Sequence, residues 1–276
     1  MADHHAHLLR NLSLKNKPRT RKAAPLRYDR YKCREVYMKV QHSCPYCMQE
    51  QFKSSKSNVI LTKMETKILD DSCIHYITCE KNHKYAVVIS AAKYELLFDI
   101  GLTAFADGYM REAVSSFSAS LERFYEFFIN FYLYTIKFED QLVTQAWKSV
   151  SNQSERQLGA FNYLYLTCFQ EIAPELDSAK RGFRNNVIHK GYIPNPQETI
   201  EYSRFIYEQI SHVITKIEKK FGWQHIYDYY NQILPIAEDA KWTVRESAKS
   251  LAIATRQNNT CVKDFNQILT MFKIHL

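Results

Sequence analysis

Four side chains in this 276-residue chain have the spacing of a metal site. Cys44 and Cys47 bracket Pro45-Tyr46 in a Cys-x2-Cys turn, and after 31 further residues comes Cys79-Glu80-Lys81-Asn82-His83, a Cys-x3-His turn. Two such knuckles supply three thiolates and one imidazole, a complete tetrahedral set for Zn2+. Because the protein fills all four positions, such an ion is structural, with no open position for water or substrate. Cys73 and His75 lie close to Cys79 and could replace one of the four. A second constellation is of another kind. In Arg181-Gly182-Phe183-Arg184-Asn185-Asn186-Val187-Ile188-His189 four residues separate Arg184 from His189, and Asn185 follows the arginine. An imidazole, with an ordinary pKa of about 6.5, can take or give a proton near neutrality. A guanidinium is a permanent cation whose planar fork fits phosphate oxygens. Asn185 could hold a phosphate oxygen or orient the ring.

The elements that carry these residues set a constraint. At 3.6 residues per turn, positions five apart are offset by about 140°, so one straight helix does not set Arg184 beside His189. Asn185 and His189, four apart, share a face. Convergence of Arg184 and His189 needs either a helix that loosens near Gly191 or a two-fold partner. The two-fold is favoured, because it places two His and two Arg around one phosphate. Glu122, in Ser120-Leu121-Glu122-Arg123, lies on a long preceding helix that a bundle sets opposite the motif, where it could position Arg184 or His189.

Three zones are predicted, followed by an extension. Residues 1–35 are basic, Pro-punctuated and without periodicity, a flexible or docking arm. Residues 36–90 alternate β-like runs with turns: 36–40, 58–61, 74–78 and 85–89. That stretch is too short to bury a core unaided and needs a metal staple. From 91 to 220 the apolar period becomes helical, with helices expected near 91–106, 109–138, 139–149, 153–171, 174–190 and 196–220. Pro174 suits a first helical turn, and Gly191 with Pro194 closes the helix before them. Residues 221–276 read as two or three more helices, with Pro235 a boundary. The fold class is therefore mainly α with a small β-rich N-terminal domain. The low Gly and Pro content (6 and 7 residues) argues against sandwiches and barrels.

Residues 36–90, with their paired knuckles, resemble a zinc ribbon. The Arg184-Asn185-x3-His189 string near the end of a late helix, followed by Gly191 and Pro194, resembles the HEPN family. That family's signature is Arg, then four to six residues, then His, with a polar residue commonly after the Arg. The resemblance covers about residues 91–220 and implies an all-α bundle with a long first hairpin. It also implies a metal-independent endoribonuclease acting as a homodimer, with the motif helices of two subunits lining one cleft, in a toxin or antiviral defence role. The implied catalytic set is Arg184, Asn185 and His189, with Glu122 in support. The chemistry is compatible: the 2′-hydroxyl of RNA can attack the adjacent phosphorus if one group takes its proton, one protonates the leaving 5′-oxygen and a cation holds the phosphate. Some relatives have lost activity, so a non-catalytic RNA-binding or regulatory dimer, with the ribbon as its recognition module, is the alternative. A regulatory protein partner is also in view.

Charge points the same way. Net charge is +8 and the sequence pI about 9.0, a balance that favours polyanions. Ten basic residues against Asp29 alone fall between Arg10 and Arg34. The first residues lack the apolar run of a signal peptide, and the longest apolar stretch, 127–136, is about half a membrane span. A reducing cytoplasm, RNA as substrate and no membrane are the expectations, and in that compartment clustered cysteines bind metal more often than they pair.

Overall fold

The computed structural model describes residues 39–53, 65–251 and 264–274. The expected basic arm and the expected strand at 58–61 lie outside the described residues. Within them the chain is mainly helical, with a small amount of sheet. The order is β1 (Lys39–His42), α1 (Pro45–Lys53), β2 (Glu65–Ile68), β3 (Ile74–Thr78), β4 (Lys84–Ile89), α2 (Lys93–Ala106), α3 (Met110–Thr135), α4 (Asp140–Val150), α5 (Ser154–Phe169), α6 (Ser178–His189), α7 (Pro196–Phe221), α8 (Trp223–Ile233), β5 (Thr243–Glu246) and α9 (Phe265–Met271). No described helix is long and apolar enough to cross a membrane.

Helix α3 is the axis of the bundle. Phe117, Phe124, Phe128 and Phe131 recur along it at helical spacing and are fully buried. They pack on aromatics of α2, α5 and α8, with Phe98–Phe117 centroids 4.9 Å apart and Phe128–Phe161 edge-to-face at 5.2 Å. Gly101 lets α2 close on α3: a Cβ there would meet the Phe117 ring at 2.5 Å. The α2–α3 hairpin turns on Gly108 at φ +86.

Two antiparallel strands, β1 and β2, form one small sheet, and β3, β4 and β5 form another. Strands β3 and β4 pair antiparallel from Ile74 opposite Val88 to Thr78 opposite Lys84. The third member corrects the sequence reading. Residues 243–246, expected to be helical, run as β5 parallel to β4, from Ala86 opposite Thr243 to Ile89 opposite Glu246. The chain thus returns to the sheet it left some 150 residues earlier. A buried carboxylate fixes that return. Asp99 of α2 is 1% exposed and accepts from the backbone N–H groups of Lys249 (2.6 Å) and Ser250 (3.0 Å) and from the Ser250 hydroxyl. Burial raises its pKa, and these donors oppose the rise. Asp99→Ala leaves two backbone donors unsatisfied at about 1–3 kcal/mol each. We expect a two-state thermal melt to move down accordingly, by several degrees or more; an unchanged melt would contradict this role.

Two further differences are local. Pro45 opens a helix directly after Cys44, where only a turn is expected, and its ring suits the first helical position. Helix α6 starts at Ser178 rather than near Pro174, because Asp177 caps it by accepting from the Lys180 N–H at 2.8 Å.

Candidate functional site

The four residues of the two knuckles come together. Cys44 stands just before α1, Cys47 in its first turn, and Cys79 and His83 flank the turn joining β3 to β4. Their ligand atoms all lie within 4.8 Å of one another, and the group could hold a metal ion. The Nδ1 atom of His83 is 3.7, 3.4 and 3.6 Å from the sulfurs of Cys44, Cys47 and Cys79, and the Cys47 and Cys79 sulfurs are 3.9 Å apart. All three thiols are buried. Burial, then hydrogen bonding to Cys44 and Cys79, pushes the Cys47 thiol up to about 12. Burial also acts on Cys79, but backbone N–H groups of His83 and Lys81 and the neighbouring thiols bring it below its ordinary value. On the far side of the ring, His83 Nε2 lies 3.6 Å from Glu50, which also pairs with Lys81 at 3.0 Å. The carboxylate so placed orients the imidazole with Nδ1 inward. The Tyr46 ring stacks on the other surface of His83, centroids 5.0 Å apart.

Neither alternative ligand takes part. The Cys73 sulfur is directed at the Asp70 carbonyl, 3.8 Å away. His75 is buried on β3 with its Nε2 unpartnered among the described residues.

Helix α6 carries the second constellation, against α3. The Arg184 guanidinium donates through one nitrogen to Glu122 at 2.7 Å and through the other to the Asn185 side chain at 3.1 Å. Both members of the ion pair are mostly shielded, at 20% and 28% exposure. The three line a cleft of about 710 Å³ with Ser118, Tyr125 and Tyr202 at its base. Tyr202 hydrogen-bonds Ser118 at 3.0 Å, and burial pushes its hydroxyl up to about 12 against the opposing effects of Ser118 and Arg184. Comparison with family models, with curated proteins and with solved structures finds no match.

His189 stands apart from that cleft. It is exposed at the last turn of α6, with no hydrogen bond or ion pair among the described residues. The helix does not loosen to bring it closer: the Lys190 and Tyr192 N–H groups both donate to the Asn186 carbonyl at 3.1 Å, and Gly191 turns the chain at φ +72. Intrachain convergence, one of the two routes open from the sequence, does not occur. Tyr192, just past the end of α6, donates its hydroxyl to Glu198 at 2.9 Å. Sequence reasoning missed Glu155, Glu175 and Arg181, which also line the cleft. Glu155 and Arg181 are ordinary helix-surface residues by pattern, Glu175 lies in the connection between α5 and α6, and only the packing of that region against α3 collects them.

Proposed function

We propose that the protein is a metal-independent endoribonuclease that acts as a homodimer. One observation carries this reading: Glu122 holds the Arg184 fork beside Asn185 in the lining of the cleft, while His189 on the same helix is exposed without a partner among the described residues. Helix α6 contains no acidic residue, so its outer surface suits a phosphate backbone. Arg184 holds non-bridging phosphate oxygens. A two-fold partner brings the second His189 towards the same phosphate. One imidazole accepts the proton as the 2′-oxygen bonds to phosphorus, and another protonates the 5′-oxygen as the P–O bond breaks. The products are a 2′,3′-cyclic phosphate and a 5′-hydroxyl. The test is incubation with single-stranded and structured RNA in EDTA, with end-group analysis by mass spectrometry. Cyclic phosphate ends are expected; their absence from every RNA, or their loss on chelation, overturns the reading.

A second reading has its own observation. Within one chain the cleft carries Glu122, Glu155 and Glu175 against Arg181 and Arg184, a poor phosphate trap. A non-catalytic RNA-binding or regulatory dimer accommodates that balance, and steep salt-dependent RNA binding without product supports it.

The ion we assign to the knuckles is Zn2+. With Zn–S near 2.3 Å, a tetrahedral site sets sulfurs about 3.8 Å apart, close to the 3.9 Å between Cys47 and Cys79. Three thiols with one imidazole suit this borderline-soft ion. The bound ion supplies cohesion, and the residues of α6 supply the chemistry. Free thiols at every described cysteine suit the reducing cytoplasm, and a role in antiviral defence or as a toxin follows the family resemblance alone.

A further inference from the structure

At the knuckle end of the three-stranded sheet lies an open groove of about 1060 Å³. Its lining is unlike that of the α6 cleft. The exposed Tyr76 stands on the outer side of β3, two positions before Thr78, and Thr78 pairs with Lys84 across the hairpin. Tyr46, stacked on His83, also lines the groove, and Trp242, outside the lining, leans on Tyr46 with centroids 5.7 Å apart. Lys84 of β4 and Lys241, just before β5, are exposed and have no carboxylate partner among the described residues. Asp239 is the one acid in the lining. The groove thus joins accessible aromatic surfaces with uncompensated cations. Neither the metal quartet nor the Arg184 constellation uses Tyr76, Lys84 or Lys241.

We propose that this groove docks a single strand of RNA. Bases stack on aromatic rings in any sequence, while lysines track the phosphates. A duplex keeps its base faces inside, so a ring such as that of Tyr76 gains little from it. The choice of RNA over DNA rests on the ribonuclease reading; the docking chemistry does not. Tyr46 lies between Cys44 and Cys47, so the metal quartet holds one wall of the groove in place. The groove is then a recognition surface on the sheet, separate from the α6 cleft, and the return of the chain as β5 completes it by delivering Lys241, with Trp242 set against Tyr46.

The test measures binding of a fluorescein-labelled 12-nucleotide RNA by anisotropy over a salt series, in full-length protein carrying His189→Ala so that the strand stays intact. The basic N-terminal residues contribute equally in every variant. Tyr76→Ala is expected to raise Kd about tenfold with the salt slope unchanged, as loss of one base stack requires. Lys84→Ala with Lys241→Ala is expected to flatten the slope of log K against log salt by about 1.4, or 0.7 for each phosphate contact released. All three side chains are exposed, and circular dichroism checks that the fold survives. Unchanged Kd and slope in both variants, or a duplex bound as tightly as the single strand, overturns the proposal. Cleavage that persists in the His189→Ala protein instead removes the catalytic reading and leaves this one standing.

Discussion

His189→Ala is expected to lower RNA cleavage by at least about 10²- to 10⁴-fold, the span that one positioned proton-transferring side chain contributes, since the homodimer loses both imidazoles. The structure makes this substitution unusually clean. The imidazole is exposed and makes no hydrogen bond or ion pair among the described residues, so its loss falls in the class of surface changes worth within about 0.5 kcal/mol of stability. Activity should therefore collapse while the melting temperature holds. Arg184→Ala is a different experiment. It abandons Glu122, whose carboxylate is only 28% exposed, and a shielded charge without its partner costs stability as well as activity. The two variants together test the two-fold. If both subunits' Arg184 and His189 face one phosphate, a heterodimer of the two variants keeps one guanidinium and one imidazole there. It should cleave faster than the His189→Ala homodimer, which has no imidazole, yet stay below wild type. A heterodimer no faster than the His189→Ala homodimer, once subunit exchange is verified, would show that the two motifs do not share a phosphate. Full activity in His189→Ala alone would end the catalytic assignment.

What the sequence disclosed depended on how local the cause was. Strand β3 occupies the residues predicted for it, 74–78, because Ile-His-Tyr-Ile-Thr alternates and its buried positions, His75 and Ile77, alternate with it. The cluster of Cys44, Cys47, Cys79 and His83 was legible from spacing, since a knuckle is a local object and two of them need only one turn of the sheet to meet. The helical body was legible from the apolar period of α2, α3 and α7. Strand β5 was not. Thr-Val-Arg-Glu is four residues long, and it becomes a strand through pairing with β4, a contact that no window on the sequence contains. Asp99 was equally silent: it reads as one acid in a helix, and its partners stand 150 and 151 positions away. The 140° offset of Arg184 and His189 was computable from the helix alone. That α6 stays regular through His189 depended on the closing bonds to Asn186 and the turn at Gly191, and the structure was needed to decide it.

Because β5 and Asp99 tie the sheet to the helices, removing the metal should not release residues 36–90 as a block. The only buried residue of α1 is Cys47, and the adjoining Cys44 and nearby Tyr46 face the same centre. Helix α1, the strand β1 that ends two residues before Cys44, and β2 paired with it therefore depend on the quartet, whereas β4 is held from both sides: by β3, and by β5 with its Asp99 anchor. Structural zinc in comparable knuckles contributes about 10–16 kcal/mol of apparent binding free energy, comparable to the total stability of an ordinary domain. Without the ion, three buried thiols and an imidazole face one another, and burial with neighbouring thiols keeps Cys47 up to about 12, protonated and with no charge to bind. Chelation, or Cys47→Ser, should then abolish amide protection in peptides from β1, α1, β2 and the 79–83 turn. Protection in α2, α3 and β5 should persist. Hydrogen exchange with mass spectrometry, on metal-loaded and chelated full-length protein, reads both regions at once. Collapse of protection in α3 would mean that the ion sustains the bundle as well. Undiminished protection in α1 would mean that the quartet holds nothing together.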